Sequence, residues 1–321
     1  MATDDAVKAP KTPVTEDDPV TGDDLAMDGA PVAEDGTAAE PVGPDPAATM
    51  ALARAAMSSN EPIPDDLPIK VGVDLGTAFS VIMITDEHDR PLAGATVFAD
   101  VVRDGIVWDF SGAQTVIARL RDELERRTGR LVTSGTVTVP PAVNNADHRA
   151  HRFVLEGAGI ACTEVVDEPT AANAVLGLRH GAVVDIGGGT TGVAIISDGE
   201  VVATYDEPSG GTHLSLVISG ALGIPLEEAE VMKRDPKNHE RLFGLVLPVM
   251  QKMSTIVARM IEPHHVEQIH LVGGTSAFRG LPDVMSGITG LPCELAPEPM
   301  LVTPLGVARW ANPHTQPRKY S

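Results

Sequence analysis

One pattern occurs twice in this chain and limits what it can fold into. Val71-Gly-Val-Asp-Leu-Gly-Thr77, followed by the apolar run Phe79–Ile84, returns as Ala182-Val-Val-Asp-Ile-Gly-Gly-Gly-Thr190, followed by Gly192–Ile196. In each copy an apolar strand ends at an aspartate, a Gly/Thr turn follows, and a second apolar strand leaves. Asp74 and Asp185 lie 111 residues apart, a length suited to one α/β domain. The repeat predicts an internal duplication, with one lobe over residues 69–180 and a second over 181–312.

The intervening sequence alternates strand and helix signals. Leu92–Phe98 reads as a strand and Ala113–Arg127 as a helix with charge on one face. Thr136–Val139 reads as a strand stopped by Pro140-Pro141, Asn144–Glu156 as a helix and Thr163–Val166 as a strand. Pro169 suits the first turn of a helix running through Leu178. Further helices are expected over Leu214–Leu222, Leu226–Lys233 and His239–Ile261, then a strand over Gln268–Val272 and a last helix over Leu305–Ala311.

Charge is unevenly placed along the 321 residues, whose net charge is −21. Residues 1–68 hold 15 Asp/Glu against 3 Lys/Arg, with 10 prolines and no Phe, Trp or Tyr. Such a segment buries too little apolar surface to offset its chain entropy, so a disordered acidic tail is expected over 1–68, dispensable to the core if removed through residue 65. Within it Ala47–Met57 is the stretch able to form a short apolar helix and dock a partner. Residues 313–321 are expected to form a flexible C-terminus. The acidic balance argues against nucleic acid and anionic membranes as partners. Two unpaired cysteines, Cys162 and Cys293, fit a reducing compartment. With no basic start before an apolar run, and no stretch of spanning length, a cytoplasmic protein is expected.

Glycines directly after a strand let backbone N–H groups approach phosphate oxygens, and the adjoining threonines add hydroxyl donors. An aspartate at the strand end suits Mg²⁺, a hard cation that takes carboxylate oxygen and keeps water. One such turn could be an ordinary tight turn. Two copies, each with Asp, Gly and Thr in the same order, point to nucleotide chemistry. Neither copy is a P-loop, which needs Lys-Ser/Thr after the glycines, and Gly187-Gly188-Gly189 leads into a strand, unlike a dinucleotide fingerprint.

Asp74-Leu-Gly-Thr77, Glu168-Pro-Thr-Ala-Ala172, Asp185-Ile-Gly-Gly-Gly-Thr190, Gly210-Gly211 and Gly273-Gly274-Thr275 follow the order seen in the actin, DnaK and MreB superfamily. The resemblance covers residues 69–312. Within that superfamily Ala99–Phe110, Val166–Thr170 and Leu226–Lys233 resemble the EutJ family of ethanolamine-utilisation operons. The resemblance implies an α/β, actin-like (RNase H-like) fold of duplicated lobes, each a mixed sheet flanked by helices. It implies ATP and Mg²⁺ as ligands. Asp74 and Asp185 would hold the metal, largely through its waters. Gly76 and Thr77 would meet the phosphates from one lobe, with Gly187, Gly188, Gly189, Thr190 and Gly211 on the other. Glu168 would orient the attacking water. Glu230 and Lys233, with Arg234, match the helix that contacts the nucleoside, and Gly273, Gly274 and Thr275 would lie against adenine and ribose.

The same resemblance implies a weak ATPase with a chaperone-like or remodelling role among other ethanolamine-utilisation proteins, in the cytoplasm or at a bacterial microcompartment. A nucleotide-dependent scaffold or filament of the MreB/FtsA kind is the competing expectation, and a metabolite kinase ranks last. Two departures bear on turnover. Ala78 stands where DnaK-type chaperones carry a second threonine, and their first-lobe lysine has no secure counterpart, Arg103 being the nearest cation. No DnaK-type substrate-binding domain is expected after the core. Other features read as ordinary structure: His264-His265 as a solvated turn, Met250, Met253 and Met260 as core filler, Trp108 and Trp310 as packing residues, Arg119–Arg127 as a solvated face.

Overall fold

The computed structural model describes residues 45–103, 105–141 and 145–311. Helix α1 (Pro46–Ala56) precedes the first of two five-stranded sheets. That sheet starts as an antiparallel meander of β1 (Ile69–Leu75), β2 (Phe79–Asp86) and β3 (Pro91–Phe98). A small pair, β4 (Val102–Arg103) and β5 (Ile106–Val107), leads into α2 (Phe110–Thr128). β6 (Ser134–Val139), α3 (Asn145–Gly157) and β7 (Ala161–Asp167) complete the lobe, with β6 parallel to both β1 and β7.

Helix α4 (Glu168–Leu176) then leads to a second meander, β8 (Gly181–Ile186), β9 (Thr191–Ser197) and β10 (Glu200–Glu207). Three helices follow: α5 (Gly211–Leu222), α6 (Leu226–Arg234) and α7 (His239–Ile261). β11 (Ile269–Val272), α8 (Leu281–Thr289) and β12 (Cys293–Leu295) add two parallel strands, and α9 (Pro299–Trp310) ends the described chain.

The duplication is explicit in the topology. The sheets run β3-β2-β1-β6-β7 and β10-β9-β8-β11-β12, the same order when matched strand for strand. β1 and β8 are the central strands and are buried along almost their whole length, which is why they read as continuous apolar runs. Asp74 and Asp185 sit at matching registers near the strand ends, opposite Val81 and Gly192. The turns beyond them close with the same bond: Gly76 N–H donates to the Phe79 carbonyl and Gly187 N–H to the Thr190 carbonyl, both at 3.1 Å.

Helices α4 and α9 lie between the sheets, and small residues let them approach closely. A Cβ on Gly306 of α9 would fall 1.9 Å from the Ala171 carbonyl of α4, and one on Gly72 of β1 would fall 2.2 Å from the Ala308 nitrogen. Real side chains cannot occupy such space, so α9 is seated against both by glycine. One buried cluster joins Ala172 and Val175 of α4, Val183 and Ala194 of the second sheet, and Leu305 of α9.

The structure corrects the sequence reading in several places. Residues 45–68 are not a disordered tail. Met50, Ala53 and Ala56 of α1 are buried, Asp45 caps the helix by accepting from Ala47 N–H at 3.0 Å, and α1 packs on β3 and α9. Two arginines at the end of α2 hold the following segment. Arg127 donates to the Met57, Ser59 and Gly94 carbonyls, and Arg130 to the Leu67 carbonyl at 3.0 Å. Composition misled because Arg127, read as part of a solvated face, and Arg130 beyond it turn inward and satisfy backbone that would otherwise need water. Residues 1–44 and 313–321, assigned to tail and C-terminus, lie outside the described residues. α9 starts six residues before the helix expected there, and β10, α8 and β12 were not anticipated. Among the described residues no helix is long and apolar enough to cross a membrane.

Candidate functional site

Both hairpin turns open into a single cleft between the sheets, with about 920 Å³ of space, part of it open to solvent. Asp74, Gly76 and Thr77 line it from the first lobe, and Asp185, Gly187, Gly188, Gly189 and Thr190 from the second. Glu168, the first residue of α4, lines it as well. The hairpins meet at its base: a Cβ on Gly188 would lie 2.8 Å from that of Ala78. A side chain at 188 would therefore force the lobes apart.

Three carboxyl groups face this space, and burial dominates their chemistry. Burial pushes Asp74 up to about 7, against a hydrogen bond from Thr138, with the charge of Asp185 adding to the rise. Asp185 is pushed up to about 6 by burial, opposed by a hydrogen bond from Thr303. Glu168 is held well above the carboxylate range, first by burial and then by Asp185, Asp74, Asp206 and Asp167. The threonine bonds measure 2.7 Å from Thr138 Oγ1 to Asp74 Oδ1 and 2.5 Å from Thr303 Oγ1 to Asp185 Oδ2. Desolvated carboxylates that disfavour one another are stabilised by a cation. Two of them with water completing the shell suit Mg²⁺. Among the described residues no three His, Cys, Asp or Glu side chains converge as an all-protein metal cage.

The second hairpin is braced from behind. The Gly187 carbonyl accepts from Gly211 N–H at 2.9 Å and from Thr275 Oγ1 at 2.7 Å, and the Gly188 carbonyl from Thr212 N–H at 2.8 Å. These bonds fix the loop at the start of α5. Gly211 itself does not line the cleft; it stands behind the loop, where a Cβ would strike Thr275 Oγ1 at 2.2 Å.

Glu230 and Lys233 line the same cleft on α6 as a largely buried pair, with Nζ to Oε2 at 2.6 Å. Lys233 also donates to the Gly211 carbonyl at 3.0 Å, and Ser215 Oγ to Glu230 Oε2 at 2.6 Å. Burial lowers the Lys233 ammonium, opposed by Glu230. The pair thus ties α6 to α5, whose first residue, Gly211, braces the Gly187 loop. Gly273, Gly274 and Thr275 line the wall beyond it. Gly273 has φ of 84°, and a Cβ there would fall 2.3 Å from Asp185 Oδ1, so glycine is required on both counts.

Sequence reasoning missed Thr138 and Thr303, which hold the two aspartates. Thr138 was findable, as the last polar residue of a strand beside β1; Thr303 was not, since it arrives from a helix 118 residues later. Arg103 lies outside the cleft wall: it forms a two-pronged pair with Asp100, at 3.1 and 2.8 Å, and covers the Trp108 ring at 3.9 Å. Trp108 and Trp310 are half-exposed, not buried packing residues. His264 is not merely solvated, since its Nε2 bonds the Tyr205 hydroxyl at 2.6 Å. Met250 and Met253 are fully buried core residues, whereas Met260 packs at the core's margin.

Comparison with known proteins agrees with this geometry. The family model of the cell division protein FtsA matches residues 182–314, and that of the MreB/Mbl protein matches residues 94–220. The chain is 42% identical over 255 residues to the ethanolamine utilization protein EutJ of Salmonella typhimurium, covering 79% of this chain and 90% of that one. The crystal structure of EutJ from Carboxydothermus hydrogenoformans superposes with a TM-score of 0.77 at 40% identity, over 83% of this chain and 98% of its own. MreB5 of Spiroplasma citri, crystallised bound to ADP, has a TM-score of 0.61 at 17% identity over 74% and 94% of the two chains, a likeness of fold. At this identity and coverage the chain belongs to the EutJ family of ethanolamine utilization proteins, built on the actin-like ATPase fold.

Proposed function

We propose that the chain binds ATP with Mg²⁺ between its lobes and hydrolyses it slowly to ADP and phosphate, and that a partner in ethanolamine utilisation reads the lobe movement. The observation that carries this reading is the pair of matched hairpins, one carrying the partly buried Asp74 and the other the buried Asp185, that open with Glu168 into one cleft. The residues fit the roles. Asp74 and Asp185 would hold Mg²⁺, which when bound would supply positive charge to offset that of the phosphate oxygens. Backbone amides and hydroxyls of Gly76, Thr77 and Gly187–Thr190 cradle the β- and γ-phosphates. Glu168, whose carboxylate form would be favoured by a cation offsetting the charges of Asp74 and Asp185, orients a water for attack on the terminal phosphorus and accepts its proton. Glu230, Lys233 and the flat Gly273-Gly274 wall receive the nucleoside, while Gly211 acts from behind by fixing the loop.

The partner is most simply another ethanolamine-utilisation protein, read by the change between open and closed lobes, in a chaperone-like or remodelling cycle in the cytoplasm or at a microcompartment. The matches to the FtsA and MreB/Mbl models favour a second reading, in which nucleotide sets assembly of a scaffold or filament. Electron microscopy with and without ATP·Mg²⁺ separates the two, ordered polymers favouring the second.

Calorimetric titration tests the shared core. Wild type takes up ATP more tightly with Mg²⁺ than with a chelator, and Asp185→Asn loses that difference. If the affinity of wild type ignores Mg²⁺, or Asp185→Asn keeps its metal dependence, the assignment is wrong.

A further inference from the structure

A contact between the lobes crosses the cleft beside the Glu230–Lys233 pair, and it joins Arg234 of the helix expected to meet the nucleoside to a residue with no assigned role. Phe79, the first residue of β2, belongs to the first lobe; Arg234, the last of α6, belongs to the second. The Arg234 guanidinium lies 4.3 Å from the centre of the Phe79 ring, and both residues line the cleft. Each is held from its own side. Phe79 packs edge-on against Phe98, its register partner on β3, with ring centres 5.5 Å apart. Arg234 follows Lys233, whose ammonium is buried and bonded to Glu230 and to the Gly211 carbonyl. An exposed cation on one lobe thus sits over an aromatic face on the other, across the cleft that both residues line.

We propose that Phe79 and Arg234 form a clasp that holds the lobes together across the cleft and so slows nucleotide release. The clasp rests on the nucleotide reading above for its ligand, but not for its geometry. Opening the lobes requires separating the pair, because one partner is on β2 of the first lobe and the other on α6 of the second. Closing them restores it without reordering either side chain. An exposed cation–π pair of this kind is expected to slow release about two- to fivefold, or about 0.5–1 kcal/mol.

The test is a double-mutant cycle on release of a fluorescent ATP analogue in Mg²⁺, by stopped flow, with Phe79→Leu, Arg234→Gln and the double variant. Each single variant is expected to release the analogue two to five times faster, and the double no faster than the quicker single. Phe79→Tyr, which keeps an aromatic face, is expected to release at the wild-type rate. Multiplying effects in the double variant would mean that the residues act separately and would overturn the clasp, as would an unchanged rate in Phe79→Leu. Small-angle scattering on ligand-free protein reads the geometry independently: Phe79→Leu and Arg234→Gln widen the particle, and Phe79→Tyr does not. A wild type that binds no analogue, with variants that still widen, removes the nucleotide reading and leaves the clasp. Variants that neither widen nor release faster remove the clasp alone.

Discussion

Asp185 accepts a hydrogen bond from Thr303 at 2.5 Å, although 118 residues separate them and Thr303 lies on a helix, not in the sheet. Its counterpart Asp74 is held at 2.7 Å by Thr138, on the neighbouring strand β6. The two lobes therefore share their topology but not the way in which they fix their carboxylates. One is positioned by its own sheet. The other depends on α9, which also packs against β1 of the first lobe, so the position of Asp185 is tied to how α9 sits between the lobes.

Removing the Thr303 hydroxyl should expose this dependence. Thr303→Val keeps the shape but leaves a buried carboxylate without its donor, at a cost of about 1–3 kcal/mol in unfolding free energy at pH 8. Thr303→Ser keeps the donor and should lose less. Urea denaturation of the two variants decides the matter. Equal stability of Val and Ser would mean that the hydroxyl is incidental.

The raised carboxyl groups make a pH prediction whose sign is opposite to ordinary acid denaturation. Asp74, held near 7 when folded, keeps a proton that the unfolded chain has released above about 4. The native state then binds more protons, so stability contributed at this site is greatest near pH 4 and is lost as pH rises through about 7. Buried His151 acts the other way, since its lowered pKa removes stability as pH falls below about 6.5. The difference between wild type and Asp74→Asn isolates the carboxyl. In chelator at pH 8, Asp74→Asn should be more stable by about 1–4 kcal/mol, with the gap closing toward pH 5. Mg²⁺ should raise the melting temperature of wild type at pH 8 and leave Asp74→Asn almost unmoved. A gap that grows toward pH 5 would contradict the account.

Much of this was legible in the sequence because it is local. Asp74, Asp185 and their turns announce themselves by strand, carboxylate and glycine in immediate succession, and Glu168 by a proline-started helix. All but Gly211 of the residues assigned to the site line the cleft. What stayed hidden depends on distant packing. Gly211 was read as a contact and serves as a brace, a distinction set by which side of the loop α5 approaches. Thr303 and the clasp partners come together only through the fold. The helix α1 was legible as the alternative helix Ala47–Met57, but its packing on the core was not, because the segment's average composition is that of a disordered chain. A few inward residues, Met50, Ala53 and Ala56, outweigh the average because they find an existing apolar surface beside Met83 and Leu305.

The contribution of α1 can be measured directly. Met50 is 1% exposed and sits in the cluster joined to α9. Met50→Ala should cost about 2–4 kcal/mol in urea denaturation, as for other buried large-to-small changes. Removing residues 1–65 should destabilise the core further, contrary to what composition suggests. A truncated protein as stable as the full chain would show that α1 packs without contributing.

Glu168→Gln should move stability and activity in opposite directions, an outcome that a structural role does not produce. Burial and the charges of Asp185, Asp74, Asp206 and Asp167 hold the Glu168 carboxyl well above its usual range, so the folded chain bears a cost for ionising it. Glutamine has the same shape and no charge, so the ligand-free variant should melt higher than wild type. A general base contributes about 10²–10⁴ in rate, and single-turnover hydrolysis should fall by that factor while ATP affinity stays within about threefold. The two measurements need the same protein and no assumption about the partner. A variant that loses stability and affinity together would make Glu168 a support for α4, and the water would have to be oriented by another residue of the cleft.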